Sequence, residues 1–370
     1  MNARCGVCGA FAAETDRFCE ECGRELVPQR IALPPDGGVF APAAVTLPAG
    51  EPALAGGASP LTGTTVTFDD AAPGPCDGCG GDVFDADGFC AGCGRRPRVR
   101  DRFEADLGIT CVVTDRGHSH AHNEDAVAAA RLTDAGGSAG VVIAVCDGVS
   151  SSEDPQAASG AAVRAGVEAT LAALSAARPA EEAVLAGLTA AGKAVHDIGT
   201  PDGRAPSCTY VSALVLFDDL GGARVTIANV GDSRAYWLRS EPTGSQRLTL
   251  DDSLAQELVN SGAMDENAAM SAPHAHVLTR WLGADNERHG WSPDCVRTTH
   301  IGEPGVLLLC SDGLWNYLPE PADLARIATG GPPVAASRAL VDYALQAGGK
   351  DNITVALVPV PFSERVGDAP

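Results

Sequence analysis

The sequence predicts an α+β architecture. Short apolar, β-branched runs recur through the second half of the chain. Pairs of alanine-rich amphipathic stretches interrupt them, long enough to form helices that cover a sheet. Several of the apolar runs end in turns that carry aspartate beside glycine, asparagine or serine.

The elements follow in order. Ile109–Val113 and Val141–Cys146 read as strands. Gln156–Ala177 and Ala180–His196 read as a helix pair. Tyr210–Phe217, Arg224–Asn229, Ala235–Leu238 and Val306–Leu309 read as further strands, and Ala322–Ala328 and Ala335–Gln346 as a second helix pair. Ahead of residue 101 the pattern differs. Residues 27–75 are rich in Pro, Gly and Ala without helical periodicity, and read as a flexible linker. The expected division is 1–26, 27–75, 76–100 and a large domain over 101–362.

Composition bounds the function. The net charge is -22. The first hundred residues hold 13 acidic and 8 basic side chains, leaving 35 and 18 in the rest, so the acidity lies mainly on the large domain. Such a field repels nucleic acid and anionic membrane surfaces and suits divalent cations. No apolar run approaches the ~18 residues of a membrane span, and the amino terminus lacks a signal-peptide core. A cytoplasmic protein is expected, with no nucleic-acid or membrane partner.

Eight of the 13 cysteines form two copies of one unit. Cys5, Cys8, Cys19 and Cys22 repeat as Cys76, Cys79, Cys90 and Cys93, with the same internal spacing and a glycine after each knuckle. Two C-x-x-C knuckles supply the four thiolates of a closed tetrahedral site. Some twenty residues are too few for an independent core, so metal must supply the folding free energy. The units look like zinc ribbons, with two structural zinc ions in total; iron or redox chemistry is the alternative. The remaining cysteines, Cys111, Cys146, Cys208, Cys295 and Cys310, read as buried structural thiols, and no Cys-x5-Arg phosphate loop is present.

Five acidic motifs run along the large domain: HAHNEDA at His120–Ala126, AVCDGVS at Ala144–Ser150, NVGDSRAYW at Asn229–Trp237, LLLCSDGLW at Leu307–Trp315 and GGKDNITV at Gly348–Val355. Oxygen ligands at rigid strand ends suit a hard divalent cation. In this order the motifs resemble the metal-dependent protein phosphatases, the protein phosphatase 2C (PPM) family. The resemblance implies two antiparallel sheets packed as a sandwich flanked by helices (α/β/β/α), with the site at one end. It implies metal-dependent hydrolysis of phosphoserine and phosphothreonine in proteins by a metal-activated water, with no phosphoenzyme. It further implies two Mn2+ or Mg2+ ions and a weaker third, and phosphoproteins or a Ser/Thr kinase as partners.

The resemblance also distributes roles. Asp147 looks like the bridging ligand, helped by the Gly148 carbonyl. Asp312 and Asp351 look like ligands of the first ion, and Glu124 of the second. Asp125 is expected to hold a metal-bound water and Asp232 the third ion, with Asn352 behind Asp351. Two departures stand out. The family's phosphate-gripping Arg is replaced by His120, so His120, His122 or Arg116 is expected to bind phosphate; a solvated loop or a separate His118-x-His120-x-His122 metal site are the alternatives. The family's histidine after motif two is absent, since the chain reads Val149-Ser150-Ser151-Ser152 there. A phosphoprotein-binding module without catalysis is the alternative function.

Overall fold

The computed structural model describes residues 102–134, 137–199, 205–218, 220–284 and 293–360, with short pieces at 3–4, 11–12, 29–32, 45–46, 60–61, 64–65, 79, 81, 83 and 91–93. Its main strands are β1 (Gln29–Ala32), β2 (Thr64–Thr65), β3 (Arg102–Asp106), β4 (Cys111–Asp115), β5 (Ala126–Asp134) and β6 (Gly137–Cys146). They continue as β7 (Tyr210–Phe217), β8 (Ala223–Val230), β9 (Arg234–Leu238), β10 (Val296–Ile301), β11 (Gly305–Cys310) and β12 (Ile353–Val360). The helices are α1 (Pro155–Ser175), α2 (Ala180–Ile198), α3 (Leu254–Asn260), α4 (Glu266–Met270), α5 (Asp312–Trp315), α6 (Pro321–Ala328) and α7 (Pro333–Ala347).

One sheet has the order β10-β8-β7-β6-β5-β1-β2. The other runs from the short piece Gln246–Arg247 through β9, β11, β12 and β4 to β3. All pairings are antiparallel except β1 with β2. The two-residue period of a strand divides the core into layers. On β6, Val141, Ile143 and Val145 face the second sheet, in a cluster with Leu307, Leu309, Ala356 and Val358. The alternate residues Val142, Ala144 and Cys146 face α1 and α2. On the far side, Leu308 and Leu357 pack under α6 and α7 with Leu324 and Leu340. The result is the α/β/β/α sandwich.

Several elements depart from the sequence expectations. β5 reads AVAAARLTD, an alanine-rich run with little intrinsic strand preference; burial of its two faces, one against the second sheet and one against the helix layer, overrides it. β10 is an exposed edge strand, so it lacks apolar alternation. Within the segment expected to be a flexible linker, β1 pairs with Ala128–Ala130 of β5, and β2 extends the edge. Of the ribbon cysteines, Cys5, Cys8, Cys19, Cys22, Cys76 and Cys90 lie outside the described residues, while Cys79 and Cys93 are exposed on turns. Cys111, Cys146, Cys208 and Cys310 are buried, and Cys295 is half-buried. No helix among the described residues is long and apolar enough to cross a membrane.

Candidate metal and phosphate site

The loops at one end of the sandwich bring the five motifs together. The first lies between β4 and β5. Its backbone passes so close to the fifth motif that a Cβ on Gly117 would overlap the Asp351 carbonyl oxygen, and Gly117 also takes the left-handed φ of +73° that glycine tolerates. The His118 amide donates to the Gly349 carbonyl across the same gap at 2.6 Å.

Asn352 fastens these loops. Its Oδ1 accepts from the Glu124 amide at 2.7 Å, and its Nδ2 donates to the carbonyls of Arg116 at 2.7 Å and His122 at 3.2 Å. Its own amide donates to Asp351 Oδ1 at 2.8 Å. Below it, Asp125 Oδ2 accepts from Ser311 Oγ at 2.6 Å and Thr354 Oγ1 at 2.7 Å, so one buried carboxylate ties the first, fourth and fifth motifs.

The second motif follows β6. The Asp147 amide donates to Thr209 Oγ1 at 3.0 Å, and the Thr209 amide returns a bond to the Asp147 carbonyl at 2.8 Å. Ser150 Oγ donates to Glu124 Oε2 at 2.6 Å. Asp232 sits in the tight turn between β8 and β9, and its carbonyl accepts from Trp315 Nε1 at 2.9 Å. Arg234 is buried behind that turn. It pairs with Asp251 at 2.6 Å and lies 3.5 Å from the centre of the Trp315 ring. Asp312 opens α5 and accepts from Asn316 Nδ2 at 3.0 Å.

A cavity of about 620 Å³ opens over these carboxylates. Asp147, Asp232, Asp312 and Asp351 line one side, with Gly148, Ser150, Ser151, Ser152, Ser207 and Thr209. His276, Val277, Leu278 and Trp281 line it from the segment after α4. Arg116, His120 and His122 are not in its wall. Arg116 donates to the His120 carbonyl, and His122 is exposed. His120 stands between two carboxylates, with Nε2 3.1 Å from Asp351 Oδ1 and Nδ1 3.9 Å from Glu124 Oε2.

The electrostatics show how strongly the carboxylates at this end repel one another. Burial raises the Asp147 carboxyl well above its ordinary range, and the charges of Asp125, Asp312, Asp351 and Asp232 push it further. Burial and Asp312 do the same to Asp232. Asp125 is pushed up to about 7, chiefly by burial and against the two hydroxyl donors, and Asp312 to about 6 by burial and Asp351. Asp125 Oδ1 and Asp312 Oδ1 are buried without a hydrogen-bond partner among the described residues. Crowded carboxylates with idle oxygens fit hard divalent cations, which neutralise the repulsion and take those lone pairs. Among the described residues no group of three or more His, Cys, Asp or Glu side chains converges closely enough to hold a metal ion by itself. Mn2+ and Mg2+ do not need one, because ions of this kind keep several waters and take few protein oxygens each.

Sequence reading missed the support and the far wall. Ser311, Thr354 and Trp315 lie inside the motifs and Thr209 directly before β7, where side-chain hydroxyls and an indole are indistinguishable from core filling. His276 precedes the segment Val277–Gly283 and Trp281 lies within it, and that segment carries no acidic signal. Burial and the nearby Arg234 charge hold the His276 imidazole below its usual pKa.

Comparison with known proteins agrees with this geometry. Residues 114–337 match the family described as Protein phosphatase 2C. The serine/threonine phosphatase stp of Listeria innocua is 35% identical over 152 residues, covering 40% of this chain and 56% of that protein. The chain thus spans little more than half the length of such curated relatives. Among solved structures, the serine/threonine phosphatase Stp1 from Staphylococcus aureus superposes with a TM-score of 0.56 at 25% identity, over 68% of this chain and 94% of that one. The PPM Ser-Thr phosphatase MsPP from Mycobacterium smegmatis, solved in complex with cacodylate, gives 0.50 at 28% identity, over 67% and 97%.

Proposed function

This chain belongs to the protein phosphatase 2C family, and from that premise we propose that it hydrolyses phosphoserine and phosphothreonine in proteins with the help of two divalent cations. The observation that carries the reading is the convergence of Asp147, Asp232, Asp312 and Asp351 on one cavity, beside Asp125 and Asp312 oxygens that are buried and unpaired.

Asp147, Glu124 and the Gly148 carbonyl would hold one cation, Asp147, Asp312 and Asp351 the other, Asp125 would hold a water of the site, and Asp232 would hold a third, weaker ion. Bound Mn2+ or Mg2+ supplies Lewis-acid activation of water and neutralises phosphate charge. The chain's own contribution is placement. Asn352 fixes Glu124 and Asp351 together, Thr209 fixes Asp147, and Ser311 and Thr354 fix Asp125. Such supporting bonds set ligand direction and affinity. Of the three residues expected to grip phosphate, His120 alone stands among the carboxylates, where Nε2 pairs with Asp351 and Nδ1, 3.9 Å from Glu124 and not hydrogen-bonded to it, is left to meet a phosphate oxygen.

The tandem four-cysteine units are zinc ribbons, each closed by one structural Zn2+, which dock protein rather than nucleic acid given the acidic charge. Phosphorylated proteins are the substrates, a Ser/Thr kinase is the opposing activity, and the cytoplasm is the compartment.

Phosphate release from a phosphothreonine peptide tests the reading. Turnover is expected with Mn2+ and lost with a chelator. Tight peptide binding without phosphate release under any divalent cation would instead establish the non-catalytic binding module.

A further inference from the structure

Glu124 is held at three points, and each holds a different part of the residue. Its amide donates to Asn352 Oδ1 at 2.7 Å, and its carbonyl accepts from Ser159 Oγ of α1 at 2.6 Å. These two bonds fix the backbone and leave the side chain to turn. The carboxylate has a partner of its own, because Ser150 Oγ donates to Oε2 at 2.6 Å. Among the described residues no other group is hydrogen-bonded to that carboxylate; His120 Nδ1 stands 3.9 Å away, beyond hydrogen-bond reach.

Ser150 sits on a tight turn that is fastened at both ends. The Ser152 amide donates to the Val149 carbonyl at 2.8 Å and closes the turn. The Val149 amide donates to the Ser207 carbonyl at 2.9 Å, and the Ser207 amide donates back to Ser152 Oγ at 3.2 Å. Gly148, ahead of the turn, bridges to Cys208. It also runs against Glu124, since a Cβ on Gly148 would come within 2.8 Å of the Glu124 carbonyl oxygen. The second motif thus meets the first twice, backbone to backbone at Gly148 and hydroxyl to carboxylate at Ser150.

Glutamate has several rotatable bonds, so an unheld carboxylate loses rotamer freedom when it takes a ligand. A hydroxyl that already holds Oε2 has removed much of that freedom and leaves Oε1 to an incoming cation. The bond contributes little to the fold itself. Ser150 is exposed and the Glu124 side chain keeps 19% exposure, so water replaces the hydroxyl when it is removed.

We propose that Ser150 is a positioning residue that aims the Glu124 carboxylate at the cation it would share with Asp147 and the Gly148 carbonyl, and so sets the affinity of that one cation site. The inference rests on the phosphatase reading above and its assignment of Glu124.

The test is calorimetric Mn2+ titration of the full chain, as wild type, Ser150→Ala and Ser150→Thr, with melting of each in chelator. Ser150→Ala is expected to weaken one Mn2+ binding step about 10–100-fold, the scale for groups that support a metal ligand, and to leave the remaining steps unmoved. Ser150→Thr keeps a hydroxyl at the same place and is expected to bind Mn2+ as wild type does. All three are expected to melt in chelator within roughly 2 °C of one another, less than 1 kcal/mol for a domain of this size. Unchanged Mn2+ binding in Ser150→Ala, weakening of every step alike, the same weakening in Ser150→Thr, or a larger fall in chelated melting temperature would overturn the proposal. Phosphate release from the phosphothreonine peptide by wild type would still stand and keep the phosphatase reading. A wild-type chain that binds no Mn2+ overturns the two together.

Discussion

Replacing Asn352 with alanine removes one side chain that holds three backbone groups of the neighbouring β4–β5 loop. It is 1% exposed. The perturbation leaves the Glu124 amide without an acceptor and the Arg116 and His122 carbonyls without a donor. His122 is exposed, so water replaces its lost partner. The Glu124 and Arg116 groups are more enclosed. Two half-buried groups left unpaired, against roughly 1–3 kcal/mol for each fully buried one, amount to at most about 3 kcal/mol. For a domain of this size that corresponds to a fall in Tm of at most roughly 6–12 °C. The same bonds aim Glu124 and Asp351, so Mn2+ affinity is expected to weaken about 10–100-fold, as for other supporting residues of metal sites. Calorimetric melting with a chelator isolates the first effect, and calorimetric Mn2+ titration measures the second. A variant that melts within about 2 °C of wild type, less than 1 kcal/mol by the same conversion, and binds Mn2+ equally well would refute the reasoning.

Three further outcomes are expected. The chelator-treated chain should be most stable near pH 4 and lose stability as pH rises toward 7, because raised carboxyl groups contribute stability below their unfolded pKa and lose it through their folded values of about 6 for Asp312 and about 7 for Asp125; Asp125→Asn should flatten this slope, read as Tm against pH, and an unchanged slope counts against it. Gly117→Ala should destabilise the chain by about 1–3 kcal/mol and lower Mn2+ affinity, since its Cβ would overlap the Asp351 carbonyl at a left-handed φ; melting and metal titration check both. The purified chain should retain about two zinc ions through dialysis, one for each four-thiolate set; elemental analysis finding iron or no zinc contradicts the ribbons.

The parts legible in the sequence share one property: chemistry and local pattern coincide there. β7, β8, β9 and β11 are apolar runs bounded by turns, and the aspartates of four motifs sit at or near the ends of such runs. β5 was illegible because alanine is neutral to strand formation until another sheet and two helices bury it. The short helices α3 and α4 were hidden because five to seven residues show too little periodicity. The placement of Arg116 is a tertiary fact. Its spacing from motif one suits phosphate, but the loop turns its guanidinium onto the His120 carbonyl. His276 gave no local signal at all, since only folding brings the segment after α4 to the cavity that Asp312 lines.

The central claim is that divalent cations at the carboxylate cluster drive phosphoester hydrolysis. The most direct measurement is Mn2+-dependent turnover of a phosphothreonine peptide by wild type, Asp147→Asn and Asp312→Asn, with melting of each chain alongside. Each substitution removes a ligand charge while keeping side-chain volume, so both variants should stay folded and lose essentially all turnover. Either variant keeping more than roughly a tenth of wild-type turnover at saturating Mn2+, against the scale of metal-assisted water activation, would contradict the account.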